Sequence, residues 1–209
     1  MTRIKLCGLT RAEDIKAVNL LRPEYAGFVF AKKSSRYIDR EAAYSLRKGL
    51  SDGITPVGVF VNEEPETVAG LLSEGVIDMA QLHGNEDEAY INALRALTEK
   101  PVIKAFRIRS AADLTAAAKS SADHILLDAG AGDGKSFDWS LLKGFERPFF
   151  LAGGLDPGNV REALRGRDVF AVDVSSGIET GGRKDAEKMK AFVDAVRKHA
   201  AFSGTEPAK

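Results

Sequence analysis

The stretches Gly27-Phe28-Val29-Phe30 and Val57-Gly58-Val59-Phe60-Val61 are apolar at successive positions rather than alternate ones. Side chains of a strand point to opposite faces in turn, so a strand with one wet face alternates in polarity. A strand that is apolar throughout needs cover on both faces, as in a parallel sheet clad with helices. Similar short apolar runs recur, and they predict strands at Arg3–Gly8, Tyr25–Phe30, Thr55–Val61, Met79–His83, Pro101–Phe106, His124–Asp128, Phe149–Ala152 and Val169–Val174. Between them, alanines, leucines and charges recur at helical spacing over Arg11–Leu21, Arg40–Lys48, Pro65–Glu74, Glu86–Thr98, Ala111–Lys119, Pro157–Leu164 and Ala186–Ala200, with a shorter helix around Trp139–Leu142.

Capping patterns bound these helices. Thr10 with Glu13 three residues on reads as a capping box, Asp39 precedes the second helix, and Asp156-Pro157 reads as an N-cap followed by proline at the first helical position. Each strand is followed by a helix that can supply the crossover to a parallel neighbour. Eight such units in 209 residues predict an α/β protein, a (β/α)8 TIM barrel in a single domain spanning residues 1–202, in preference to an open doubly wound sheet. Phe137, Trp139 and the stripe Met189, Phe192, Val193 and Val196 are expected in the core. Residues 203–209, small and polar with Pro207, are expected to form a disordered tail.

Thirty basic and thirty acidic residues cancel, so no global field favours nucleic acid or an anionic membrane, and an anion site must be local. The chain runs straight into Ile4 and Leu6 without a signal-peptide pattern, and no apolar run approaches the ~20 residues that span a bilayer. The single cysteine, Cys7, excludes an internal disulfide or a CxxC zinc site and fits a reducing compartment. A cytoplasmic protein is expected, with no nucleic-acid or membrane partner.

In a TIM barrel the chemistry lies at the C-terminal ends of the strands. That rule selects Cys7, Phe30 to Arg36, Asn62, His83, Arg107, Asp128, Gly153-Gly154 and Ser175-Ser176-Gly177. Gly153-Gly154 after the seventh strand, with Ser175, Ser176 and Gly177 after the eighth, can bring bare backbone N–H groups against a phosphate. A free cysteine is usually a small buried hydrophobe. Here Cys7 ends a strand before Gly8, and alternation sets Lys5 and Arg3 on its face, where a nearby cation would favour a thiolate. Asp128 closes Ile125-Leu126-Leu127 as either a turn former or a general acid raised by partial burial. Asp173, between Val172 and Val174, must meet a ligand or a partner. Arg36 is either part of a solvated basic loop or a fork for a carboxylate. His83 is read as pocket lining and substrate-binding. The loop Gly130-Ala131-Gly132-Asp133-Gly134-Lys135 lacks the spacing of a nucleotide-binding P-loop and is expected to cover the pocket.

Taken in order, Lys5-Leu6-Cys7-Gly8-Leu9-Thr10, Gly27-Phe28-Val29-Phe30, Ser35-Arg36-Tyr37-Ile38, Gly58-Val59-Phe60-Val61-Asn62, Gln81-Leu82-His83-Gly84, Ile103-Lys104-Ala105, Leu126-Leu127-Asp128, Phe137-Asp138-Trp139, Leu151-Ala152-Gly153-Gly154-Leu155 and Val172-Asp173-Val174-Ser175-Ser176-Gly177-Ile178-Glu179 resemble the phosphoribosylanthranilate isomerases over nearly the whole chain. The one visible departure is the loop 130–136, where the family usually runs Gly-Gly-(Thr/Ser)-Gly.

The resemblance implies an Amadori rearrangement of N-(5-phosphoribosyl)anthranilate in tryptophan biosynthesis, without metal or cofactor. It implies Cys7 as general base, Asp128 as general acid, Arg36 on the anthranilate carboxylate, Asp173 on the sugar hydroxyls and the last two loops on the phosphate. The implied partner is a small phosphorylated sugar–anthranilate substrate, the chain acting as a monomer or homodimer. Rival readings are another sugar-phosphate barrel or a non-catalytic phosphate-binding one. The histidine-pathway isomerase resembles this fold but uses aspartates for both proton transfers, and Cys7 argues against it. The pentose-phosphate epimerases need metal-binding histidines on several strands, against only His83, His124 and His199.

Overall fold

A computed structural model describes residues 1–128, 142 and 144–203. Eight strands close a parallel barrel in sequence order: β1 Arg3–Cys7, β2 Tyr25–Val29, β3 Thr55–Phe60, β4 Met79–Leu82, β5 Val102–Arg107, β6 His124–Asp128, β7 Phe149–Ala152 and β8 Ala171–Val174. The ring shuts where β8 pairs with β1, setting Lys5 opposite Asp173. Helices α1 Ala12–Leu21, α2 Arg40–Lys48, α3 Pro65–Ser73, α4 Glu88–Arg95, α5 Ala111–Lys119, α6 Val160–Leu164 and α7 Ala186–Ser203 follow the strands.

The consecutive apolar residues have the two-sided cover they require. In β6, Ile125 and Leu127 face the helix layer, whereas Leu126 packs inside the barrel with Val57, Met79, Ile103 and Phe150. Phe28 and Phe60 are fully buried under the helices, each such burial contributing about 1.5–3 kcal/mol. Met189, Phe192, Val193 and Val196 of α7 are buried as expected. Phe137, Trp139, the short helix begun at Trp139 and the loop 130–135 lie outside the described residues. α7 runs on to Ser203, and the rest of the expected tail also lies outside them.

Several boundaries differ from expectation. Four strands stop one residue early, leaving Gly8, Phe30, Val61 and His83 in the loops. The acid that closes the N-terminus of α1 is Asp14, with Arg11 at the N-cap, and not Glu13 with Thr10. Buried Asp14 accepts from the Thr10 and Arg11 amides at 2.9 and 3.0 Å, while Glu13 points to solvent. Asp39 caps α2 as expected, accepting from Ala42 at 2.8 Å. Asp87, not the residues before it, caps α4. Asp156 gathers the Gly158 and Asn159 amides into a turn, so α6 begins only at Val160 after Asn159. Apolar periodicity also misses a hairpin, β9 Glu179–Thr180 with β10 Arg183–Lys184. Its turn, Gly181-Gly182 at φ 58° and 75°, needs two left-handed residues and is a recognisable two-glycine hairpin signal.

Candidate active site

The barrel mouth holds a cavity of about 450 Å³. It is lined by Cys7, Arg36, His83, Asp128, Gly153, Gly154, Asp173, Ser175 and Ser176, nine of the ten residues to which the sequence reading gave a catalytic or binding role. The tenth, Gly177, sits behind the wall in a short 3-10 turn, Ser176–Ile178. A Cβ there would drive into the Leu155 carbonyl, with its carbon at 2.9 Å and Asp156 Cα at 3.0 Å. Gly177 is therefore required for space: it lets the loop after β8 lie against the loop after β7. Gly153 and Gly154 adopt φ of 98° and 64°, which only glycine takes readily.

Cys7 is 6% exposed, with its sulfur turned into the barrel above Lys5. The expected cation is present, but it is shared. Fully buried Lys5 donates to both oxygens of Asp173 at 3.0 Å. Burial pushes the Cys7 thiol up; Lys5 pulls it down, Asp173 pushes it up again, and the net result lies above the ordinary value. The raised value favours the thiol over the thiolate, against the pull of the nearby cation. Burial works against the Lys5 ammonium, but Asp173 outweighs it and holds the amine above its usual range. Asp173 thus has the partner that an acid between two valines requires, and it also lines the cavity.

Across the mouth, His83 Nε2 lies 3.3 Å from Asp128 Oδ2, and the Gln81 amide nitrogen lies 2.9 Å from His83 Nδ1. With that amide donating to Nδ1, a neutral imidazole carries its proton on Nε2 and offers it to Asp128. The segment bearing His83 is clamped from behind. Buried Lys104 donates to the Gly84 carbonyl and to Glu86, both at 2.8 Å, and Glu86 accepts from the Asn62 and Gly84 amides at 2.7 and 2.8 Å. Burial raises the Glu86 carboxyl, but Lys104 and the Asn62 amide outweigh it and hold it below its usual range.

Arg36 reaches the cavity in the grip of an acid that sequence reasoning does not single out. Its Nε and Nη2 donate to the two oxygens of Glu179 at 2.6 and 2.8 Å. Lys184 donates to the same carboxylate at 2.5 Å and to the Ser175 carbonyl at 3.0 Å. Burial opposes the Glu179 charge, but these two cations take its pKa down to about 2. Gly8 makes room for this cluster, since a Cβ there would lie 2.5 Å from Arg36 Cδ and 3.3 Å from Lys184 Nζ. A larger cavity of about 700 Å³, lined by Arg165, Arg167 and Phe170, opens at the opposite barrel end, where the fold does not place chemistry.

Comparison with known proteins identifies the family. The family model described as N-(5'phosphoribosyl)anthranilate (PRA) isomerase matches residues 4–195. The chain belongs to this family. A PRA isomerase of Endomicrobium trichonymphae is 46% identical over 202 residues, covering 94% of this chain and 99% of that one. The crystal structure of the Thermotoga maritima PRA isomerase superposes with a TM-score of 0.87 at 37% identity, covering 95% of this chain and all of that one. A PRA isomerase in complex with reduced 1-(o-carboxyphenylamino)-1-deoxyribulose 5-phosphate gives a TM-score of 0.85 at 37% identity, with the same coverage.

Proposed function

We propose that this chain converts N-(5'-phosphoribosyl)anthranilate to 1-(o-carboxyphenylamino)-1-deoxyribulose 5-phosphate, the Amadori step of tryptophan biosynthesis, with Cys7 as general base and Asp128 as general acid. One observation carries the reading. A thiol, a carboxyl group, an arginine fork and two glycine- and serine-lined loops converge on one pentose-sized cavity at the barrel mouth.

Protonated Asp128 gives its proton to the ribose ring oxygen while the C1–O bond breaks, and the nitrogen lone pair forms an iminium. The carboxyl group keeps one acceptor oxygen for His83 and carries the acid proton on the other. Cys7, as thiolate, then takes the C2 proton, and the C–H electrons flow toward the iminium nitrogen to give an enolamine. Loss of the C2 hydroxyl proton and protonation at C1 complete the ketone. The iminium is its own electron sink, so this sequence balances without metal or redox cofactor. A thiolate of raised pKa is scarcer but more basic, and each transfer contributes roughly 10²–10⁴-fold.

The remaining groups bind and orient. Arg36 takes the anthranilate carboxylate, Asp173 the sugar hydroxyls and His83 the edge of the substrate near Asp128. Gly153, Gly154, Ser175 and Ser176 take the phosphate, with Gly177 holding their loops together. Every group comes from one chain and one domain, residues 1–202, so monomer and homodimer alike would have a complete site. A reducing cytoplasm would keep the single thiol in working form. No described helix is long and apolar enough to cross a membrane.

The test is turnover of freshly made phosphoribosylanthranilate, followed by loss of its fluorescence. Rapid loss by the parent protein, abolished in Cys7→Ser and Asp128→Asn that keep their fold, is expected. Near-normal rates in either variant would remove that residue from the mechanism.

A further inference from the structure

Glu179 has no part in the scheme above, yet it is among the most heavily engaged charges at the mouth. Its side chain is 9% exposed. Oε1 accepts from Arg36 Nε at 2.6 Å and Lys184 Nζ at 2.5 Å, and Oε2 accepts from Arg36 Nη2 at 2.8 Å. Its backbone is fixed as well, pairing across the β9–β10 hairpin and accepting from Lys188 Nζ at 2.7 Å. An acid anchored in this way can hold a long side chain still.

The pattern of bonds decides which part of Arg36 remains available. A guanidinium is planar and offers a side edge, Nε with Nη2, and an end edge, Nη1 with Nη2. Glu179 occupies the side edge. Among the described residues, Nη1 donates no hydrogen bond. The end edge is thus left for a second carboxylate, and two parallel N–H···O bonds can form there. The same acid holds Lys184, which reaches the carbonyl and Oγ of Ser175 at 3.0 and 3.3 Å, on the loop assigned to the phosphate. One carboxylate between two cations leaves this trio with a net single positive charge.

We infer that Glu179 is the positioning residue of the substrate-carboxylate site: it locks the Arg36 fork side-on so that only the end edge meets the anthranilate carboxylate, and it ties that arginine through Lys184 to the phosphate loop. The inference rests on the assignment of Arg36 to that carboxylate. It makes Glu179 a determinant of specificity for the carboxylated ring, acting through Arg36 and not on the reacting atoms.

The experiment compares two ligands, reduced 1-(o-carboxyphenylamino)-1-deoxyribulose 5-phosphate and its counterpart lacking the ring carboxylate, titrated calorimetrically into the parent, Arg36→Ala and Glu179→Gln proteins. Glu179→Gln keeps the shape and removes the charge. It should weaken the carboxylated ligand by about tenfold or more, the loss expected when a charge-assisted bond is no longer held in line, and the other ligand by less than about twofold. KM should rise while kcat at saturation stays within about threefold, the signature of lost binding rather than lost chemistry.

A second readout follows from charge. Cys7 faces Lys5 and Asp173 from below and Lys184 and Arg36 from the mouth. Without the Glu179 charge, the two upper cations are uncompensated, and alkylation of the lone cysteine by iodoacetamide should begin at lower pH. Equal weakening of both ligands, no weakening of either, or an unshifted alkylation profile would overturn the inference. Should Glu179→Gln fail to fold, Glu179→Asp, one methylene too short to reach both cations, takes its place in the same ligand comparison, and equal or absent weakening there overturns the inference too. A preference for the carboxylated ligand that survives Arg36→Ala overturns the Arg36 assignment and this inference together. A preference lost in Arg36→Ala but intact in Glu179→Gln overturns this inference alone.

Discussion

Replacing Gly177 by alanine tests the phosphate cradle without touching any group that handles a proton. The added Cβ would stand 2.9 Å from the Leu155 carbonyl carbon and 3.0 Å from Asp156 Cα, with the carbonyl oxygen nearer still. Carbon pairs rest at about 3.5–4.0 Å, so the loops after β7 and β8 must part by something on the order of 1 Å. Both neighbours are backbone, and no side chain can rotate away to absorb the strain. Overpacking of this kind costs about 1–3 kcal/mol of stability, which a thermal melt would register. The larger effect should be on substrate. A misplacement of about 1 Å remote from the chemistry can cost on the order of 10²-fold in rate, and here it would separate the two halves of the proposed phosphate site. Steady-state fluorescence assays should show kcat/KM falling by roughly that factor, mostly through KM, and inorganic phosphate should inhibit the variant less well than the parent. Parental KM and phosphate inhibition in a folded Gly177→Ala protein would show that the phosphate does not sit between these loops.

Other substitutions probe the charges around the thiol. Lys5→Met leaves Asp173 buried without its cation and should destabilise the barrel by about 3–5 kcal/mol in denaturant titrations; a loss below about 1 kcal/mol would mean that the pair is solvated. In the parent protein, alkylation of Cys7 should rise with pH to a midpoint above the ordinary thiol value of 9.0, because burial disfavours the anion; a midpoint below it would contradict the packing described. Glu179 titrates near 2 when folded and near 4.5 when unfolded. Its depressed value contributes stability that is complete above about 4.5 and is lost as pH falls toward about 2. Melting temperatures of the parent and Glu179→Gln should therefore converge across that window, and parallel curves would refute the assignment.

The barrel was legible because its strands break the rule of alternation. Leu126 inside and Leu127 outside need no polar partner, so the two-sided burial was written directly in β6. The placement of the candidate site was legible for a related reason: Cys7 and Asp128 are the residues at which apolar runs stop, and both line the cavity at the strand ends, where this fold carries its chemistry. Pairings between distant segments were not legible. Asp173 had to meet a ligand or partner, but Lys5, 168 residues away, becomes that partner through the β1–β8 register, which periodicity does not encode. Glu179 meets Arg36 across 143 residues for the same reason, and its local signal was only the Gly-Gly turn that follows it. The state of the thiol was not legible either: alternation set Lys5 on the face of Cys7, while the burial that outweighs its pull depends on the closed ring.

That ring closure has a bearing on how the protein becomes active. The first strand carries the thiol and its ammonium neighbour, and the last carries the counter-ion, so the electrostatic setting of Cys7 spans the whole length of the chain. During synthesis, β1 emerges with Lys5 bare and must wait for nearly all the remaining residues before Asp173 reaches it. Completion of the fold and of the charge setting around Cys7 are thus one event, and a growing or truncated chain that stops short of β8 carries its sulfur from the outset yet lacks the Asp173 counter-ion.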